Sequence, residues 1–147
     1  MKPGIIRVLA ICVFRSGDRI LVFDKFDSVK GSPFYRPLGG AVEFGETTQE
    51  ALRREMREEL EQEITNLELL GTIENIFTLE GEKGHEIVYV YDGNFRDTSV
   101  YRQESLTVHE DDGEILTARW RPLDFFNDYN RLVPEELMSL LKGCKNS

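Results

Sequence analysis

Glu55, Glu58 and Glu59 stand at i, i+3 and i+4, so on a helix at about 100° per residue they leave one face together. Leu52, Met56 and Leu60 form a separate apolar stripe, the side that would meet a core. The remaining side holds Glu50, Arg53, Arg57 and Glu61 at the spacing of ordinary solvent ion pairs. Like charges one turn apart repel by roughly a few tenths of a kcal/mol each, so the carboxylate face is unfavourable by itself. A hard divalent cation reverses that sign, because it accepts carboxylate oxygens and keeps positions for water and a substrate phosphate. From the helix alone, a solvated Glu-rich face is the commoner arrangement.

The residues around the helix favour the ion. Gly40 is followed after five residues by Glu46, after seven more by Arg54-Glu55, then by Met56, Arg57 and Glu58-Glu59. This spacing resembles the signature of the Nudix hydrolase family: Gly, five residues, Glu, seven residues, Arg-Glu, an aliphatic, any residue, Glu-Glu, any residue, Gly and a final aliphatic. Every charged position is matched. Two positions depart, with Glu61 where the second Gly is expected and Gln62 in place of the last aliphatic. A Gly there would end the helix in a left-handed conformation, so Glu61 implies either a longer helix or a strained cap, at a slight cost in stability and none in metal binding. The signature covers 23 residues, and Arg36 to Glu46 also looks like the approach to it in many relatives.

The resemblance implies a set of roles. Glu55 and Glu59 would ligate Mg²⁺ or Mn²⁺, with Glu58 sharing the ligation or acting through water, and the Gly40 carbonyl would be a further ligand. Arg54 and Glu46 would pair and orient the carboxylates. The implied reaction is attack of a metal-activated water on phosphorus in a nucleoside diphosphate linked to another moiety, whether a nucleotide sugar, a nucleoside triphosphate or a dinucleotide. The general base would be a box Glu or an acid of a later loop, here Glu104, Glu110, Asp111 or Asp112. The alternative, suggested by Glu61 and Gln62, is a non-catalytic nucleotide-sensing or partner-binding domain. The resemblance also admits a homodimer.

Residues outside the signature complete the candidate site. Arg36 and Lys25 could meet phosphates, and Phe34 or Tyr35 could stack on a base, with a core role equally open for the two aromatics. His85 opens a strand beside the expected cleft, and Glu110 could reach the substrate. Trp120 reads as core.

These side chains need a scaffold, and the pattern predicts an α+β fold, a mixed β-sheet between helices in an α/β/α sandwich, formed by residues 1–147 as one domain. Ile5 to Phe14 and Ile20 to Phe23 read as a hairpin around Ser16-Gly17-Asp18. Asp24 to Pro37 reads as a loop, Gly39-Gly40 as the entry to a short strand, and Gly45 as a turn. A helix starts at Thr47 or Thr48, with Glu50 completing a capping box after Thr47, and continues to about Gln62. Ile64 to Leu79 reads as one or two strands, Glu80 to Gly84 as a turn and Glu86 to Phe95 as an alternating strand. Asp97 to Gly113 reads as an acidic surface excursion. Glu114 to Pro122 is the expected last strand, and Pro134 to Leu141 the expected final helix with Gly143 past its end.

Composition narrows the function classes. Of 147 residues, 27 are acidic and 18 basic, a net charge of −9 that opposes a general grip on nucleic acid. The segment from Glu43 to Glu63 concentrates that excess, with eight Glu against three Arg. A 40% hydrophobic share with nine Phe and five Tyr is too apolar for a disordered tail. Cys12 and Cys144 match neither a zinc site nor a disulfide framework, and no apolar run reaches the length of a membrane span, so a cytoplasmic home is expected.

Overall fold

The computed structural model describes residues 4–110 and 112–144, with the side chain of Cys144 outside that description. In chain order the elements are β1 (Ile6–Ser16), β2 (Arg19–Asp27), β3 (Ser32–Ala41), α1 (Thr48–Leu60), β4 (Ile64–Leu79), β5 (Glu82–Phe95), β6 (Ser105–His109), β7 (Ile115–Pro122), β8 (Arg131–Leu132) and α2 (Leu137–Cys144), with 3₁₀ turns at Thr98–Arg102 and Leu123–Phe125. The strands form one mixed sheet ordered β4-β5-β1-β3-β2-β7-β6, with β8 added to β3. Only β1–β5 and β3–β8 pair in parallel among these neighbours.

Two apolar layers cover the sheet, which makes the fold the expected α+β sandwich. Alternation along β1 divides them: Ala10, Cys12 and Phe14 join Leu52 and Met56 of α1, while Leu9, Ile11 and Val13 join Leu137 and Leu141 of α2. Trp120 lies in the α1 layer, as a core residue should. Among the described residues no helix is long and apolar enough to cross a membrane.

Several expected elements are revised. The predicted loop from Asp24 to Pro37 is instead most of the β2–β3 hairpin, with only its tip outside the strands. Gly31 and Pro33 signal that tip, and Phe34 and Tyr35 are strand residues buried on opposite sides. Gly39-Gly40 lie inside β3, where the strand passes from pairing with β2, up to Pro37, to pairing with β1 from Leu38. Ile64 to Leu79 is one strand whose register slips twice against β5. The turn after it is tighter than expected, since β5 begins at Glu82.

The acidic stretch from Asp97 to Gly113 is also more structured than a surface excursion. Its 3₁₀ turn buries Val100, and β6 buries Val108 beneath a polar outer face. Strand β7 is followed by β8, so it is not the last. Helix α2 begins three residues after Pro134 and contains Gly143.

Candidate functional site

Helix α1 is fixed at both ends. The Thr47 hydroxyl accepts from the Glu50 N–H at 3.1 Å, and the Glu50 carboxylate accepts from the Thr47 N–H at 3.1 Å, the capping box read in the sequence. At the other end Glu61 adopts φ 55°, ψ 39°, the left-handed region, and its N–H reaches the Arg57 carbonyl at 3.0 Å. The signature departure is therefore a strained cap and not an extension of the helix. Glu61 takes the glycine conformation without being glycine, and the helix before it is intact.

The carboxylates divide in a way the helical wheel did not show. Glu55 and Glu59, one turn apart, are 5% and 2% exposed, while the Glu58 side chain is half-exposed. Arg54 ties them to the preceding loop. Its Nε and one Nη grip Glu46 in a two-pronged pair at 2.7 and 3.0 Å, and the other Nη donates to Glu55 at 2.9 Å and Glu58 at 3.4 Å. A further bond at 3.1 Å runs to the Ala41 carbonyl. The hydrogen bonds from Arg54 hold the Glu46 carboxyl below the usual range, so the pair stays ionised.

Strand β3 brings its glycines against this helix. A Cβ on Gly40 would lie 2.5 Å from the Glu55 carboxyl carbon, and one on Gly39, at φ +149°, would lie 2.1 Å from the Ala10 carbonyl oxygen. Gly39 thus permits the close passage along β1, and Gly40 permits the carboxylate to rest on the backbone.

Glu59 is the electrostatic anomaly. Burial, then a hydrogen bond and charge from Glu110, then the charge of Glu55 push its carboxyl up to about 10. Its Oε1 is buried with no hydrogen-bond partner. A desolvated acid with an orphaned oxygen and two acidic neighbours fits a hard divalent cation. Among the described residues, however, no three acidic, His or Cys side chains already enclose a single ion position, and Arg54 bonds both Glu55 and Glu58. A cavity of about 390 Å³ opens over Glu58 and Glu59, bounded by Thr107 and His109 of β6.

A second, larger cavity of about 630 Å³ carries the other candidates. Lys25, Phe34 and Arg36 line it. Burial and the neighbouring Arg36 charge lower the Lys25 ammonium, while Glu110, Glu114 and Asp112 at the β6–β7 tip oppose that shift. Arg36 has a buried Nε without a partner and lies 5.7 Å over the Phe23 ring. It lines the cavity, and its charge is felt at both Glu59 and Glu86.

Tyr35 and His85 are not in this group. Tyr35 packs in the α2 layer against Phe125 and Phe126, with Arg121 over its ring, because strand alternation turns it away from Phe34. His85 pairs with Ile6 and Ile76 and lines neither cavity. The neighbouring Glu86, passed over in the sequence, does: it is 9% exposed on the cavity wall, with Arg7 and Asn75 beside it. Strand parity was the available signal, since Glu86 shares the face of Val88 and Val90. Of the candidate bases, Glu110 reaches Glu59, Asp112 accepts from the Glu114 N–H, Glu104 precedes β6 in an exposed position, and Asp111 lies outside the described residues.

Comparison with known proteins agrees with this fold. A model of the NUDIX domain family matches residues 5–140. Among solved structures, a NUDIX hydrolase from Nitrosomonas europaea is similar with a TM-score of 0.61 at 18% identity, covering 99% of this chain and 90% of that one. A MutT NUDIX hydrolase from Burkholderia pseudomallei has a TM-score of 0.58 at 24% identity, covering 93% and 97%. The ORF135 protein of E. coli has a TM-score of 0.58 at 20% identity, covering 96% and 89%.

Proposed function

The chain belongs to the Nudix family of pyrophosphate-bond hydrolases, and from that premise we propose that it cleaves the diphosphate of a nucleoside diphosphate linked to another moiety, with a divalent cation. The observation that carries this is Glu59, a buried acid with an orphaned oxygen beside Glu55 and Glu110. Glu55, Glu58, Glu59 and the Gly40 carbonyl would hold Mg²⁺ or Mn²⁺. Such an ion neutralises charge on the diphosphate and makes water a better nucleophile.

The chain's own groups supply the rest, all within the one domain. Glu46 fixes Arg54, and Arg54 fixes Glu55 and Glu58, so the acids are placed before substrate arrives. Lys25 and Arg36, adjacent cations in a shielded cavity, bind the diphosphate oxygens and are relieved of their mutual repulsion by doing so. Glu110 accepts the proton of the attacking water, as a loop acid that reaches Glu59. A P–O bond forms to that water as the P–O bond of the diphosphate bridge breaks, and the phosphate product leaves with the bridging oxygen.

The test is turnover of nucleoside triphosphates, nucleotide sugars and dinucleoside polyphosphates with Mg²⁺ or Mn²⁺, beside Glu58→Gln and Glu59→Gln. Turnover by wild type with a loss of about 100-fold or more in at least one variant is expected. No product from any substrate, or full activity in both variants, overturns the proposal.

A further inference from the structure

We infer that Glu86, with Asn75, selects the base of the substrate and that the base selected is guanine. This rests on the preceding reading of the cavity as the nucleotide site. The cavity sets the aromatic surface of Phe34 and Phe77 among charged and polar side chains, so a flat heterocycle can stack there while its edge meets polar groups.

The chemistry of Glu86 narrows the heterocycle. Its carboxyl is buried on the cavity wall, and its basic neighbour Arg7 stays 3.7 Å away, beyond hydrogen-bond reach. A side-chain hydrogen bond comes from Asn75, which leaves the carboxylate with acceptor sites to spare. Burial raises this carboxyl, and the charges of Arg36 and Arg7 oppose that shift. An ionised carboxylate only accepts, so its complement is a planar edge with two adjacent N–H donors. Among the common bases, guanine alone has that edge, at N1 and the exocyclic N2. Adenine and cytosine would turn a ring acceptor toward the carboxylate, and uracil offers one N–H between two carbonyls. The Asn75 amide can donate to the neighbouring O6 of guanine. Arg36, whose charge reaches both Glu86 and Glu59, lies where a nucleotide extending from Glu86 toward α1 would carry its phosphates.

The test measures binding of GDP, IDP, ADP, CDP and UDP by calorimetry, for wild type and Glu86→Gln, together with hydrolysis of the corresponding triphosphates. Wild type is expected to bind GDP at least about tenfold more tightly than ADP, CDP or UDP. IDP, which lacks the N2 amine, should fall between. Glu86→Gln should weaken GDP by about tenfold or more and shrink the gap between GDP and IDP, a change that a merely structural role for Glu86 would not produce. Equal weakening of all five ligands, or a wild-type preference for another base, overturns the inference. Selective GDP binding without turnover of any substrate overturns the preceding proposal and leaves this one standing.

Discussion

At the residue scale, Glu59 ties the stability of the protein to pH. Its folded carboxyl is pushed up to about 10, whereas an ordinary Glu titrates near 4.5. Between those values the unfolded chain has released a proton that the native state keeps, so stability falls as pH rises through the window. Glu86, raised by burial, acts in the same direction. Glu46 acts oppositely: Arg54 lowers it, so its contribution is present above the ordinary Glu pKa and is lost in acid. With chelator present, Glu59→Gln should flatten the fall in Tm between about pH 5 and pH 9, and an unchanged slope would refute the assignment. Arg54→Lys keeps the charge but loses the two-pronged grip on Glu46 and the reach to Glu55. It should cut kcat by about 10- to 100-fold with a smaller effect on KM, measured by steady-state kinetics.

At the element scale, α1 is held by a favourable start and an unfavourable end. Thr47→Ala removes the cap and should cost about 1 kcal/mol in urea unfolding. Glu61→Gly relieves a left-handed residue and should gain about 0.5 to 1 kcal/mol in the same measurement. This helix was legible because its cap, apolar stripe and carboxylates all lie within one short segment. The hairpin β2–β3 was not, since Gly31 and Pro33 outweighed the apolar residues around them and its partners lie in β7 and β8, far along the chain. The acids of the site were read from local spacing, whereas Glu86 depends on which face of β5 meets the cavity, and that face is set by pairing with β1 and β4. For Tyr35, where the sequence left stacking and a core role equally open, the same pairing decides the face, because one step along β3 reverses it and turns the ring into the α2 layer.

At the scale of the whole molecule, two hairpin tips close the far end of the larger cavity. Buried Asp27 accepts from the N–H groups of Val29 and Lys30 at 3.0 Å and from that of Glu80 in the β4–β5 turn at 3.3 Å. Ser28 bonds the Glu80 carboxylate through its N–H and its hydroxyl, and the Lys30 ammonium reaches the Thr78 carbonyl at 2.7 Å. Asp27→Ala leaves the N–H groups of Val29, Lys30 and Glu80 without this acceptor and should destabilise the fold by about 1 kcal/mol in urea unfolding, with a rise in KM as the cavity wall loosens. Strand β3 joins the larger cavity to the helix acids, since Arg36 lines the cavity and Gly40, four residues further along a strand that changes neighbours between them, lies against Glu55. With the roles proposed above, that short covalent span is a ruler laid along the substrate. The phosphorus attacked is then counted from the nucleoside end, whatever group hangs from the other end. Oxygen from labelled water should enter the same half of the product across substrates with different leaving groups.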